Sequence, residues 1–180
     1  VGFGAGGGTT FPVERAIQIY NPDSVAHTFF VSVFPRDENP SAEVLVDGDT
    51  ELEIELGGGE FIDLLVRLEG SAPAAGSYEG FIQVARDSGG LELLIPFYYV
   101  VGDGVPFNSF VISGTGVVGT AGEPHPELLI FRVIDIHGQP VANLPVDFSA
   151  TAGGGSIVVA DSATDRFGIA AADVDMGPEI

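Results

Sequence analysis

The chain has 180 residues, 45% of them apolar, and carries 26 acids against six arginines with no lysine and no cysteine, for a formal charge of −20. That charge repels phosphate backbones and anionic lipid, which excludes nucleic acid and membrane insertion as partner classes. Without cysteine there can be no disulfide and no thiolate metal site, and no apolar run approaches the roughly 18 residues of a membrane-spanning helix.

Sandwich domains take roughly 100 residues each, so this length suits two small domains better than one large one. Val1 to Gly8 has no basic flank and no long apolar run, so it does not read as a signal peptide. With no initiator methionine, the chain is expected to be part of something longer. Val1 to Thr10 is Gly-rich and reads as a frayed strand end.

From Val13 onward the apolar period is two. Residues 13–20 put Val13, Ile17 and Ile19 on one face, and Asn21-Pro22-Asp23-Ser24 has the composition of a turn. Residues 27–34 set Phe29, Val31 and Val33 opposite Phe30, Ser32 and Phe34. Residues 43–46 and 51–56 flank Asp47-Gly48-Asp49. In the second of these Leu52, Ile54 and Leu56 point inward while Glu51, Glu53 and Glu55 point to solvent. Residues 61–68 place Ile62, Leu64, Val66 and Leu68 on one face, and a strand centred on Phe81, Ile82 and Val84 spans residues 77–86. Asp87-Ser88-Gly89-Gly90 has hairpin chemistry, pairing that strand with residues 91–101, LELLIPFYYVV. About seven strands with a turn every 8–12 residues is the pattern of a β-sandwich.

After the hinge Gly102-Asp103-Gly104 the style repeats. Strands are expected over 110–118, 128–135, 144–149, 156–160 and 169–174. Ile136 to Pro140, Gly153 to Gly155 and Thr164 to Gly168 form the turns. If Gly168 has positive φ, replacing it with valine should cost roughly 1–3 kcal/mol.

Several short patterns suggest chemistry and are explained without it. Gly114-Thr115-Gly116-Val117-Val118-Gly119, with Asp135 downstream, matches a dinucleotide fingerprint. That motif needs a helix starting at the glycines, and Gly122, Pro124 and Pro126 forbid one. Asp87-Ser88-Gly89 resembles the acid motif of a subtilisin-type triad, but no matching His or nucleophilic Ser motif accompanies it. His27, His125 and His137 are isolated and read as exposed turn residues. Asp47 with Asp49, the group Asp161, Asp165, Asp173 and Asp175, and Asp103 in the hinge offer oxygens to calcium without EF-hand spacing. Glu51, Glu53 and Glu55 lie along one solvent face rather than across a cleft. Phe34, Phe61, Tyr78, Tyr98 and Tyr99 could line a sugar platform, although packing is the commoner use of such residues. No catalytic, cofactor-binding or metal residue is therefore assigned, no cofactor is expected, and no cleft for chemistry is expected.

Two stretches carry family resemblances. Ala121-Gly122, Arg132-Val133-Ile134-Asp135, Gly138 to Phe148 (GQPVANLPVDF), Gly153-Gly154-Gly155-Ser156-Ile157 and Thr164-Asp165 with Gly168-Ile169-Ala170 resemble the bacterial Ig-like domain of the invasin and intimin type. That resemblance implies a rigid spacer or adhesin stalk unit whose last strand would follow Gly177-Pro178. Residues 73–82, PAAGSYEGFI, and 93–101, LLIPFYYVV, look like the fibronectin type III-like accessory domain of large bacterial subtilisin-like serine peptidases, which implies an exported parent enzyme. The fold expected is all-β: two tandem Ig-like or fibronectin III-like sandwiches, residues 1–103 and 104–180, the second lacking its last strand and so exposing a strand edge. The function expected is a non-catalytic, secreted or cell-surface module that spaces, stabilises or docks the catalytic domain of its parent chain. The alternative is an adhesin or carbohydrate-binding module that meets a cell-surface protein or glycan.

Overall fold

The computed structural model describes residues 2–5, 13–37, 41–90, 92–116, 120 and 124–177, and all regular structure among them is β-strand. The chain divides into two compact units, Val1–Val101 and Gly102–Ile180, each described by itself below.

In the first unit the strands are β1 (Gly2–Ala5), β2 (Val13–Tyr20), β3 (His27–Pro35), β4 (Ala42–Val46), β5 (Glu51–Leu56), β6 (Phe61–Gly70), β7 (Gly76–Arg86) and β8 (Glu92–Val101). They form a five-stranded sheet, β1-β8-β7-β3-β5, and a three-stranded sheet, β2-β6-β4. Alternation decides which residues lie between the sheets. Phe29 and Val31 of β3 are buried while Phe30 and Phe34 are exposed. On β5, Ile54 and Leu56 are buried while Glu51, Glu53 and Glu55 face solvent. Leu64, Val66 and Leu68 of β6 meet Ile82, Val84 and Phe97 of the opposite sheet in one continuous core. Each such side chain contributes about 1.5–3 kcal/mol by leaving water, which is why the register cannot slip by one residue.

Strand β8 is the interior strand that fixes this unit. It pairs antiparallel with β7 along its length and parallel with β1 on its other side. The β7–β8 hairpin turns at Gly89 and Gly90, whose φ values of 72° and 85° admit glycine most easily. The Gly-rich start, expected to be frayed, contributes Gly2–Ala5 as a paired strand, and Phe3 is buried in the core. Residues 6–10 lie outside the described residues.

The second unit has β9 (Asn108–Ser113), β10 (Pro124–Ile134), β11 (Ser156–Ala160) and β12 (Ile169–Asp175) in one sheet of order β11-β12-β10-β9. Two expectations need correction. The strand expected over 110–118 ends at Ser113, because Gly114 (φ 108°) and Gly116 (φ 70°) leave the extended region; Val117 to Gly119 lie outside the described residues. Residues 144–149 form no ladder, only a single antiparallel bridge between Pro145 and Ala163. Their alternation is nonetheless real, with Leu144, Val146 and Phe148 half-buried and Pro145, Asp147 and Ser149 exposed. A ladder needs a neighbouring strand, and along 147–149 the described residues supply none. β9 is an outer strand of this sheet, and its side chains are exposed from Asn108 to Ile112.

Among the described residues the buried apolar set of this unit is Val133, Val141, Ala170 and Ala172, and polar Asp135, Gln139 and Thr164 are buried beside it. Gly168 lies at the turn into β12 with φ 73°, and a Cβ there would sit 2.3 Å from the Val133 carbonyl oxygen. Gly168→Val therefore meets both a left-handed backbone and a carbonyl that cannot move aside. We expect it to lower the stability of the second unit by about 3 kcal/mol; thermal denaturation with a probe in that unit checks this.

Candidate functional site

The outer face of the five-stranded sheet carries the largest concentration of exposed aromatic residues. Register sets Phe34 of β3 opposite Phe81 of β7, and Phe81 opposite Pro96 of β8. The Phe34 and Phe81 rings stack with centroids 5.2 Å apart and planes inclined by 28°. One step along, Gln83 pairs with Leu94, and on the other side Glu79 pairs with Tyr98. Leu94 and Tyr98 are about half exposed, at 55% and 48%. Phe81, Leu94, Pro96 and Tyr98 wall a shallow depression of about 640 Å³ with Arg36 and Glu79 at its rim. Gly80 is essential to its floor, since a Cβ there would lie 2.3 Å from the Phe97 ring and 2.5 Å from the Phe34 carbonyl oxygen.

The rim is acidic. Arg36 is ion-paired with Glu79, and the Gln83 amide donates to Glu92 Oε1. On the far side of β3, Glu51 pairs with Ser32 and Glu53 with Phe30, so the exposed carboxylates of β5 border the aromatic stripe. The exposed apolar side chains here are contiguous rather than scattered singly over the surface.

This surface divides the five aromatics considered from sequence. Phe34 and Tyr98 lie on it. Tyr78 and Tyr99 stack on each other at 5.0 Å, with Tyr99 buried in the core, and Phe61 stands exposed on the other sheet. Phe81, the partner of Phe34, was grouped with the strand centre instead. Its phase betrays it, because Ile82 and Val84 fill the inward positions and Phe81 falls between them.

At one end of the same unit, His27 is not an exposed turn residue; its side chain is only 13% exposed. Its Nε2 lies 3.0 Å from Asp23 Oδ2 and its Nδ1 3.2 Å from Asp87 Oδ1, and Arg86 pairs with the same Asp23 oxygen. Carboxylates thus take both ring nitrogens. A nucleophile activated by this histidine would have to displace Asp23, so the His27–Asp87 contact is a clamp between the β2–β3 and β7–β8 turns and not the base of a triad. The Asp87 carboxyl is held below its ordinary range chiefly by hydrogen bonding to the Thr28 backbone, which outweighs the opposing desolvation, with the Ser88 amide and His27 adding smaller contributions. A carboxyl depressed in the folded state stabilises the fold above its unfolded pKa, and that stabilisation is lost as pH falls through the folded value. We expect the melting temperature to drop as pH is lowered below about 4, and Asp87→Asn to flatten that acid limb; melting curves between pH 3 and 6 check it.

Four of the acids considered for calcium, Asp47, Asp103, Asp161 and Asp165, accept from backbone amides. Asp47 Oδ1 accepts from the Leu65 amide, Asp161 Oδ2 from Ala171, and Asp165 Oδ1 from Phe167 and Ile169. Asp103 Oδ1 accepts from Val105. Among the described residues no three His, Asp or Glu side chains converge as a metal site would require. Asp135, the downstream acid of the apparent dinucleotide pattern, is buried and caps backbone amides, while the residues from Pro124 onward run as strand β10. A cavity of about 490 Å³ opens beside Val33, Val44, Tyr78, Phe97 and Tyr99, with Asp37, Glu43 and Glu79 among its walls.

No protein-family model matches the chain, and no curated protein matches it. Among solved structures it is similar to the secreted serine protease VesC from Vibrio cholerae, at 11% identity and a TM-score of 0.42, over 100% of this chain and 46% of that one. A family 123 glycoside hydrolase from Clostridium perfringens is similar at 10% identity and a TM-score of 0.40, over 50% of this chain and 21% of that one. The E. coli chaperone DraB is similar at 14% identity and a TM-score of 0.38, over 88% and 77%. The chain thus spans less than half the length of the first two.

Proposed function

We propose that the chain is a non-catalytic pair of Ig-like modules of a larger secreted or cell-surface subtilisin-like serine peptidase, and that its first unit docks and steadies the catalytic domain. The observation that carries this reading is the aromatic face formed by Phe34, Phe81, Leu94, Pro96 and Tyr98, an apolar surface at the centre of a sheet and bordered by the exposed carboxylates of β5. Apolar anchors inside a polar rim are the usual composition of a protein docking surface. The resemblance of residues 73–82 and 93–101 to peptidase accessory domains names the partner.

The test uses the longer chain. Phe81→Ser with Leu94→Ser changes two exposed side chains and should leave the melting of the first unit nearly unchanged. The same pair should speed the thermal loss of peptidase activity several-fold. Unaltered inactivation, or a longer chain without serine peptidase activity, would count against the proposal. A second reading rests on the Phe34–Phe81 stack, with Tyr98 on the same face: such rings can seat a sugar, making the unit a glycan-binding module of an adhesin. Saturable binding on a glycan array, lost in Tyr98→Ala, would favour that reading instead.

A further inference from the structure

The cavity of about 490 Å³ in the first unit lies on the inner side of the five-stranded sheet, whereas the aromatic stripe faces outward. Its body is apolar because inward positions of both sheets build it: Val33 of β3, Phe97 and Tyr99 of β8, and Val44 of β4. Ala42, the next inward residue of β4, adds only a methyl group where a larger side chain would fill the space. The strands that carry these walls are laddered within the unit, β3 to β5 and β7, β7 to β8, and β4 to β6. The recess therefore lies between two facing sheets rather than beside an open layer. Residues 38–40 of the β3–β4 connection lie outside the described residues.

The mouth is acidic. Asp37, just past β3, and Glu43, at an outward position of β4, both line the recess and are both exposed. Among the described residues neither carboxylate has a hydrogen-bond or ion-pair partner, whereas Glu79, the third acid of the wall, is held by Arg36. These two uncommitted carboxylates, in a chain of charge −20, select the sign of a ligand. An anion is repelled, and a neutral molecule gains nothing at the mouth. An ammonium group there keeps part of its water and meets two counter-charges while its apolar stem is buried. An apolar recess of this size with a few polar groups at one end has the composition of a small-molecule pocket.

We propose that this recess binds a small organic cation, whose apolar body sits between Val33, Val44, Phe97 and Tyr99 and whose primary ammonium group lies at the mouth beside Asp37 and Glu43. This goes beyond the docking reading. The recess opens between the sheets and the aromatic stripe faces away from them, so either can fail without the other.

The probe is phenethylammonium, titrated into the whole chain beside phenethyl alcohol and 3-phenylpropionate, which keep the ring but carry no charge or a negative one. We expect saturable one-to-one binding of the ammonium, about three- to tenfold tighter than the alcohol at low salt, as two exposed ion pairs allow. That preference should shrink at high salt, and the carboxylate should not bind measurably. Asp37→Asn with Glu43→Gln changes two exposed side chains and should remove the preference without lowering the melting temperature. Val33→Phe should fill the recess and abolish binding of ammonium and alcohol alike. Should that variant not fold, shifted amide resonances at Val33, Val44 and Tyr99 of the parent chain locate the ligand instead. No saturable binding, equal affinity for ammonium and carboxylate, a preference unchanged in the double variant, or resonance shifts confined to the aromatic stripe would overturn the proposal.

Discussion

Asp135→Ala is expected to unfold the second unit at ambient temperature while the first unit still melts cooperatively. The Asp135 side chain is buried, at 1% exposed, and both oxygens are engaged. Oδ1 accepts from the His137 amide at 2.9 Å and the Gln139 amide at 2.7 Å, and Oδ2 accepts from the Asp103 amide at 2.9 Å. One carboxylate therefore closes the turn 136–140 and ties it to the start of the unit. Alanine leaves these donors without a partner in a region closed to water, each at about 1–3 kcal/mol, so a loss of about 4–5 kcal/mol is expected. Among the described residues the apolar side chains buried in this unit are Val133, Val141, Ala170 and Ala172, a set that offsets little of that loss. Asp135→Asn is the sharper control. It keeps the volume and one acceptor oxygen but turns an NH₂ toward amide donors, and should cost about 2–3 kcal/mol. Gly102 sets a further condition, because a Cβ there would lie 2.4 Å from Asp135 Oδ2. Denaturant unfolding followed separately in the two units checks the ordering Ala, then Asn, then the parent.

How much of this was legible in the sequence depends on which interaction decides each position. Where burial on one face decides, period two reveals it. Leu64, Val66 and Leu68 are inward and Glu51, Glu53 and Glu55 outward as patterned, because a one-residue slip would reverse every side chain. Where a backbone group decides, the residue type is visible but its task is not. Asp135 looks like a cofactor ligand or a turn residue in sequence, and only the positions of three amides choose between them. Residues 144–149 show the opposite case. Their alternation is a strand's, but a ladder is a property of two segments, and one cannot report the absence of the other. The aromatic face was hidden for a third reason. Phe34 comes from β3 and Phe81, Leu94 and Tyr98 from the β7–β8 hairpin more than 40 residues on, and register alone brings them together. The His27–Asp87 clamp likewise spans 60 positions.

The first unit should depend as strongly on Asn21. This side chain is fully buried, at 0% exposed. Its Nδ2 donates to the carbonyl oxygens of Val25, Leu56 and Gly57 at 2.9–3.0 Å, and its Oδ1 accepts from the Asp23 amide at 3.1 Å. Its backbone donates to the Glu60 carbonyl and accepts from the Gly59 amide. One amide side chain thus joins the turn after β2 to the β5–β6 turn, across the two sheets. Asn21→Ala strands these carbonyls and leaves a cavity, and the expected loss is about 3–5 kcal/mol. Asn21→Asp separates hydrogen bonding from packing. The volume is kept, but a carboxylate would face three carbonyl oxygens with no proton to donate, so at neutral pH the loss should match or exceed that of alanine. Lowering the pH toward 4 should recover part of it, because the protonated acid regains one donor. This trend runs opposite to the acid limb set by Asp87, whose stabilisation disappears as pH falls. Melting curves of the Asn21→Asp and Asn21→Ala chains at pH 7 and pH 4 therefore separate the two effects. If the gap between these variants stayed constant across that range, Asn21 would be acting through shape alone.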